Sequence, residues 1–137
     1  VSTDPGRSYH FEKGSYAASE ATFRSHLARF GVPDPVRVVA ADVAELAALP
    51  GDPDVPVSVA FLDVDLRSSY DACFRVLAPR VRRGTRLVLH EGLLEPIRSL
   101  VEDPGYWKTL DLPSPAVRFW EDTRGFRTSV AVLEFPA

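Results

Sequence analysis

Four polar side chains define the chemistry open to this chain: Asp63 and Asp65, two positions apart, and the adjacent His90 and Glu91. Asp63 and Asp65 end the apolar run VSVAFL at 57–62, and the alternating side-chain direction of a strand puts both carboxylates on one side. His90 and Glu91 follow a second apolar run, Leu87-Val88-Leu89. Both runs read as parallel strands buried on two faces. Ligands of open α/β sheets bind outside the carboxyl ends of the strands, so the four groups are expected to share one cleft. Carboxylates alone suit Mg²⁺, and an added imidazole tilts the set toward Mn²⁺, Zn²⁺ or Fe²⁺. A cation there would lower the pKa of a substrate hydroxyl, and a remaining carboxylate would take the proton. An isolated D-x-D more often caps a helix or pairs with an arginine such as Arg67. It is the His-Glu pair on the neighbouring strand that tips the balance toward chemistry.

The elements that must hold these groups follow from the pattern on either side. Ser69 is placed to cap a helix with Tyr70, Cys73, Phe74 and Leu77 on one flank, and Gly84 ends the connection to the second strand. Upstream, Ser19 opens a helix with Phe23, Leu27 and Phe30 at helical spacing, His26 on its polar flank and Gly31 at its end. Pro33 and Pro35 turn the chain into a short strand, Val36–Ala40. Asp42 and Glu45 fit a D-x-x-E cap for a helical turn over Val43–Leu49. Residues Val1–Ala18, with Tyr9, His10, Phe11 and Tyr16, show no period and read as a loop, a flap over a cleft being its functional version. Downstream, Pro96 suits the first turn of a helix to about Val101, and Asp103-Pro104-Gly105 breaks it. Trp107–Leu110 reads as a strand, and Val117–Trp120 with Phe126–Phe135 as a hairpin across Asp122-Thr123-Arg124-Gly125.

With 137 residues the chain fits one domain, short for a complete α/β enzyme. A net charge of -3 leaves no basic footprint for nucleic acid, and Arg80, Arg82 and Arg83 read as a solvated turn. Cys73, the one cysteine, reads as a structural thiol on an apolar helix flank. No apolar run approaches membrane-spanning length and no signal peptide is visible, so a cytoplasmic protein without membrane contacts is expected. The sequence starts at Val1 and contains no methionine, as expected of a processed chain, an unusual start codon or a piece of something longer. P-loop, dinucleotide-binding, zincin, C-x-x-C and nucleophile-elbow motifs are all absent.

The segment LDVDLRSSYDACFRVLAPRVRRGTRLVLHE resembles the macrocin O-methyltransferase family, metal-dependent enzymes that use S-adenosylmethionine (SAM) to methylate sugar hydroxyls. Leu62-Asp63-Val64-Asp65-Leu66, Ser69, Pro79 and Gly84 match its pattern, and His90-Glu91 falls without a gap where the family has two aspartates. Including the upstream helix and strand, the resemblance spans about Phe11 to Gly92. It implies Asp63, His90 and Glu91 as ligands of Mg²⁺ or Mn²⁺, Asp65 as the general base, and Asp42 near the adenine of SAM. Arg67 stands where the family has tyrosine. The implied fold is α/β: a partial Rossmann-like methyltransferase sheet, mostly parallel, with a carboxyl-terminal antiparallel hairpin and without its first two strands. Those strands would carry the Gly-rich turn that holds SAM and should precede residue 1. Their absence would leave backbone edges and an apolar face bare, which implies a homo-oligomer or a complementing chain. On its own the chain is expected not to bind SAM; stoichiometric binding by calorimetry would refute this.

The implied function is O-methylation of a hydroxyl on a natural product or its sugar, with the whole chain, 1–137, as one incomplete domain. Two other readings share the residues. A D-x-D also serves glycosyltransferases as a metal site for sugar nucleotides, although those need no His-Glu at this interval. A non-catalytic methyltransferase-like domain acting as partner or scaffold would account for the altered ligands.

Overall fold

The computed structural model describes residues 2–4, 7–9, 18–31, 36–46, 48–121 and 129–136. His10, Phe11, Tyr16, Pro33, Pro35 and the turn Asp122–Gly125 lie outside them. The described residues fall in two compact units, Val1–Asp42 and Val43–Ala137.

In the first unit, β1 (Ser2–Asp4) and β2 (Arg7–Tyr9) pair antiparallel, with Thr3 opposite Ser8. The sequence reading of Val1–Ala18 as a loop therefore needs correction; three-residue strands are too short to show a period, and the Pro5-Gly6 dipeptide between them is the local signal that was there to use. Helix α1 (Glu20–Arg29) starts where expected, Ser19 Oγ accepting a hydrogen bond from the Thr22 amide at 3.1 Å. It stops at Gly31, whose φ of 63° is a left-handed conformation that costs glycine nothing. Val36–Ala40 is not a strand here: it joins no ladder among the described residues, and β-type composition does not by itself supply a neighbour to pair with.

The second unit begins with a single 3₁₀ turn, Val43–Glu45, in place of the longer turn expected to Leu49. Pro50 disfavours helical backbone at the residue before it, which limits the turn. Then come β3 (Val59–Leu62), α2 (Arg67–Leu77), a 3₁₀ turn at Ala78–Arg80, β4 (Arg86–His90), α3 (Glu95–Glu102), α4 (Pro104–Thr109), β5 (Ala116–Glu121) and β6 (Ser129–Glu134). The sheet runs β3-β4-β6-β5. β3 and β4 are parallel, and β6 is antiparallel to both β4 and β5. Three of the four strands thus share one direction, with β6 reversed between β4 and β5, as the expected mostly parallel sheet with a terminal hairpin requires.

One face of the sheet is covered. Leu87, Leu89, Ala131 and Leu133 are buried there beneath Tyr70, Phe74 and Leu77 of α2 and Ile97, Leu100 and Val101 of α3. Trp107 of α4 closes this core, 5.1 Å from the Phe74 ring and 5.5 Å from Phe135, its indole N–H donating to Val101 O at 2.8 Å. The expected strand at Trp107–Leu110 is therefore a helix. Asp103 Oδ1 accepts from the Gly105 amide at 2.7 Å and Pro104 occupies the first turn, so the residues that break α3 start α4. Helix α2 likewise begins before Ser69: Leu66 is its N-cap, with the Tyr70 amide donating to Leu66 O at 3.0 Å. At the other extreme β3 is an edge strand, and Val59 and Phe61 are 63% and 62% exposed. This is the bare apolar edge that the sequence implied. Among the described residues no helix is long and apolar enough to cross a membrane.

Asp71 pins α4 to α2. Its carboxylate accepts from the Tyr106 hydroxyl at 2.8 Å and from Arg75 Nε at 3.0 Å. Partial burial alone would raise its pKa, but the bonds from Arg75 and Tyr106 outweigh it and hold the carboxyl below its usual value. The unfolded chain then binds this proton more readily than the folded one, so the stabilisation is complete above the ordinary carboxylate pKa of about 3.9 and fades as pH falls through the lower folded value. Asp71→Asn should cost about 1 kcal/mol at neutral pH and flatten the stability profile below about pH 4, both read from urea midpoints across pH.

Candidate functional site

The two parallel strands end side by side, Leu62 opposite Leu89, so the next residues of both chains emerge at one rim. One donor atom from each of Asp63, Asp65 and His90 lies within 4.8 Å of the other two. His90 Nδ1 is 2.9 Å from Asp63 Oδ1. An ionised carboxylate only accepts, so Nδ1 carries the proton and donates it to Asp63. Nε2 of the same ring faces Glu91 Oε1 at 3.6 Å. The imidazole is thus flanked by a carboxylate at each nitrogen.

The backbone around these groups is held in uncommon conformations. Asp65 and Glu91 both have φ of 56°, in the left-handed region that costs a residue with a side chain about 1–2 kcal/mol. Surrounding hydrogen bonds impose it. Next to Asp65, the Leu66 amide turns back to Val64 O at 2.6 Å. The Glu91 amide donates to Ser129 O at 2.8 Å, Leu94 N to Glu91 O at 3.0 Å and Leu93 N to Ser129 Oγ at 3.2 Å. Strained residues just past adjacent strand ends are where functional geometry tends to be stored.

Tyr70 ties the rim together. It is fully buried, and its hydroxyl lies against the carbonyls of Leu62, at 3.2 Å, and His90. Burial, reinforced by the charges of Asp63 and Asp65, raises its pKa well above the usual value, so it acts as a neutral donor. On sequence alone Tyr70 was one more apolar residue of α2; nothing local marks a tyrosine whose hydroxyl bridges two strands. Tyr70→Phe leaves both carbonyls without this donor. It is expected to cost about 1–2 kcal/mol and to weaken divalent-cation binding at the rim, measured by urea unfolding and by titration calorimetry with Mn²⁺.

The structure brings together Asp63, Asp65 and His90, with Glu91 on the other side of the imidazole. The sequence expected Glu91 within the ligand group and Asp65 beside it, and the geometry sets Asp65 in the tightest cluster. Asp42 belongs to the other compact unit.

Neither a family profile nor a curated protein matches this chain. Among solved structures, an rRNA methylase from Streptococcus thermophilus superposes on 87% of this chain and 70% of its own, with a TM-score of 0.53 and 10% identity. The fold is methyltransferase-like. At that identity the likeness concerns backbone arrangement alone, and the chemistry must be argued from the rim.

Proposed function

We propose that this methyltransferase-like chain takes part in SAM-dependent O-methylation of a small hydroxylated acceptor, with a divalent cation, Mg²⁺ or Mn²⁺, at the strand-end rim. The observation that carries the reading is the convergence of Asp63, Asp65 and His90 within 4.8 Å at the carboxyl ends of two parallel strands. The Asp63 carboxylate with the His90 imidazole is a mixed donor set that fits Mn²⁺ better than Mg²⁺ and leaves Asp65 for the proton. When bound there, the ion supplies Lewis acidity that lowers the pKa of an acceptor hydroxyl. Asp63 and His90 would hold the ion, the proton that His90 Nδ1 otherwise donates to Asp63 being displaced to solvent. Asp65 takes the acceptor's proton, and Glu91 extends the acidic wall beyond the imidazole. The agreement of Leu62–Leu66, Ser69, Pro79, Gly84 and His90-Glu91 with the macrocin O-methyltransferase pattern supports a natural-product or sugar hydroxyl as acceptor, with Asp42 as a contact to SAM. The open edge of β3 fits completion of the sheet by a second copy, or by a complementing chain that would bring the strands that grip SAM.

The test is a thermal-shift titration with Mg²⁺, Mn²⁺, Zn²⁺ and Fe²⁺, followed by mass spectrometry of hydroxylated acceptors incubated with SAM and the stabilising ion. Cation-dependent stabilisation is expected of the chain by itself, and acceptors heavier by one methyl group only once the strands that grip SAM are supplied. No stabilisation by any of the ions would overturn the reading. The exposed Val59 and Phe61 also fit a non-catalytic partner domain, which predicts that flat titration.

A further inference from the structure

At the opposite end of the strands, a cleft of about 750 Å³ opens between the β4 approach, the end of α4 and the chain after β6. Its place follows from the register: Arg80–Arg83 lead into Arg86, and Glu134, opposite Arg86, leads into Phe135 and Pro136. The length of β4 separates it from the Asp63 rim by about 13 Å. We propose that this cleft binds a small phosphate ester, at a site separate from the rim and independent of methyl transfer.

Arg82 and Arg83 line the cleft with Arg75, whose charge Asp71 balances, against one acid in the lining, Asp111. The chain as a whole carries a net charge of -3, so this cationic surface is a local arrangement that runs against the overall balance. Two of the three guanidiniums are fixed. Arg82 Nη1 donates to Pro79 O at 2.9 Å and Val81 O at 2.8 Å, and Arg75 Nε donates to Asp71 Oδ2 at 3.0 Å. A guanidinium held in one orientation loses little freedom on meeting an anion, and its planar fork matches the oxygens of a phosphoryl group. Arg80, which the sequence grouped with the other two, does different work. It donates to the carbonyls of Leu49 at 2.9 Å and Gly51 at 3.0 Å, fastening the loop before β3.

The rest of the lining is apolar, with Val81 and Phe135 at the base and Leu110 and Leu112 at the side. A cleft of this volume is in the range that holds small organic ligands and is far larger than one inorganic phosphate. Cationic groups beside an apolar base call for an anionic head on a compact organic body.

The experiment is calorimetry on the whole chain at low salt with adenosine monophosphate, inorganic pyrophosphate and citrate. The expected order is monophosphate tightest, pyrophosphate weaker and citrate weakest. Arg83→Glu should weaken the monophosphate at least tenfold while leaving the melting temperature of the free protein in place. Asp111→Asn should tighten it several-fold by removing the like charge, and asparagine tolerates the left-handed backbone at 111, where φ is 56°. Asp63→Ala should leave the affinity unchanged, which separates this site from the rim and its fate from that of the methyl-transfer reading. Absence of binding at millimolar ligand, or an unchanged affinity in Arg83→Glu, overturns the site. Citrate binding as tightly as the monophosphate overturns the phosphate assignment.

Discussion

Gly92→Ala is expected to cost about 3 kcal/mol or more, near the upper end for overpacking a well-filled interior, and to abolish cation-dependent stabilisation with it. A Cβ at Gly92 would lie 2.3 Å from Ala131 Cβ, 2.6 Å from Ala131 N and 3.0 Å from Ala131 Cα. Carbon atoms in favourable contact sit about 3.5–4.0 Å apart. The obstacle is backbone as well as side chain, and it belongs to β6, which is paired with β4 on one side and β5 on the other. β6 cannot yield without breaking a ladder, so the turn carrying Glu91 must move. That turn is fixed by Ser129, through the Glu91 and Leu93 amides, and moving it displaces His90 from Asp63. Gly84→Ala sets the scale: its φ of 79° strains any side chain, yet an added Cβ there meets nothing within 4 Å. That variant should lose only about 1–2 kcal/mol. Equal urea midpoints for the two would show that the approach of Gly92 to Ala131 is not what holds the turn.

The contrast between these glycines marks what could be read from the sequence. Asp63, Asp65 and His90 were legible because two apolar runs each end in charge, and two parallel strands joined by one helix must finish at the same rim. The hairpin of β5 and β6 was legible in its alternation. Gly92 was not, since its need for space comes from a strand far away in the chain. Trp107 misled because aromatic residues favour strands; only the Asp103 cap and the indole's bond to Val101 O show it as the plug of a helical layer. Tyr70 hid for the same reason as Gly92, its partners lying at the ends of two different strands. Val36–Ala40 has strand composition without a strand, because composition supplies no neighbour to pair with. Local pattern thus located the polar groups that meet at the rim, whereas the contacts that hold them in place are long-range.

Asp63→Ala and Asp65→Asn should separate the two roles proposed for the rim. A ligand that binds only the folded protein stabilises it by RT ln(1 + [L]/Kd), about 2.7 kcal/mol at a hundredfold excess over Kd, enough to move the melting temperature of a domain this size by several degrees. Asp63→Ala removes an oxygen donor and the acceptor of the His90 Nδ1–H bond together. It should therefore lose both the cation-induced shift and methyl transfer. Asp65→Asn keeps the shape and an oxygen while removing the basic site. Loss of a positioned base typically costs about 10²- to 10⁴-fold in rate, so methyl transfer should fall by that much while most of the cation shift survives. Should Asp65→Asn also lose the shift, Asp65 is a ligand, and the proton must go to Glu91, 3.6 Å from the imidazole on its other side. Glu91→Gln would then show the rate loss in its place. Wild-type activity in both Asp65→Asn and Glu91→Gln would leave the rim without a base and remove the chemical basis for methyl transfer there.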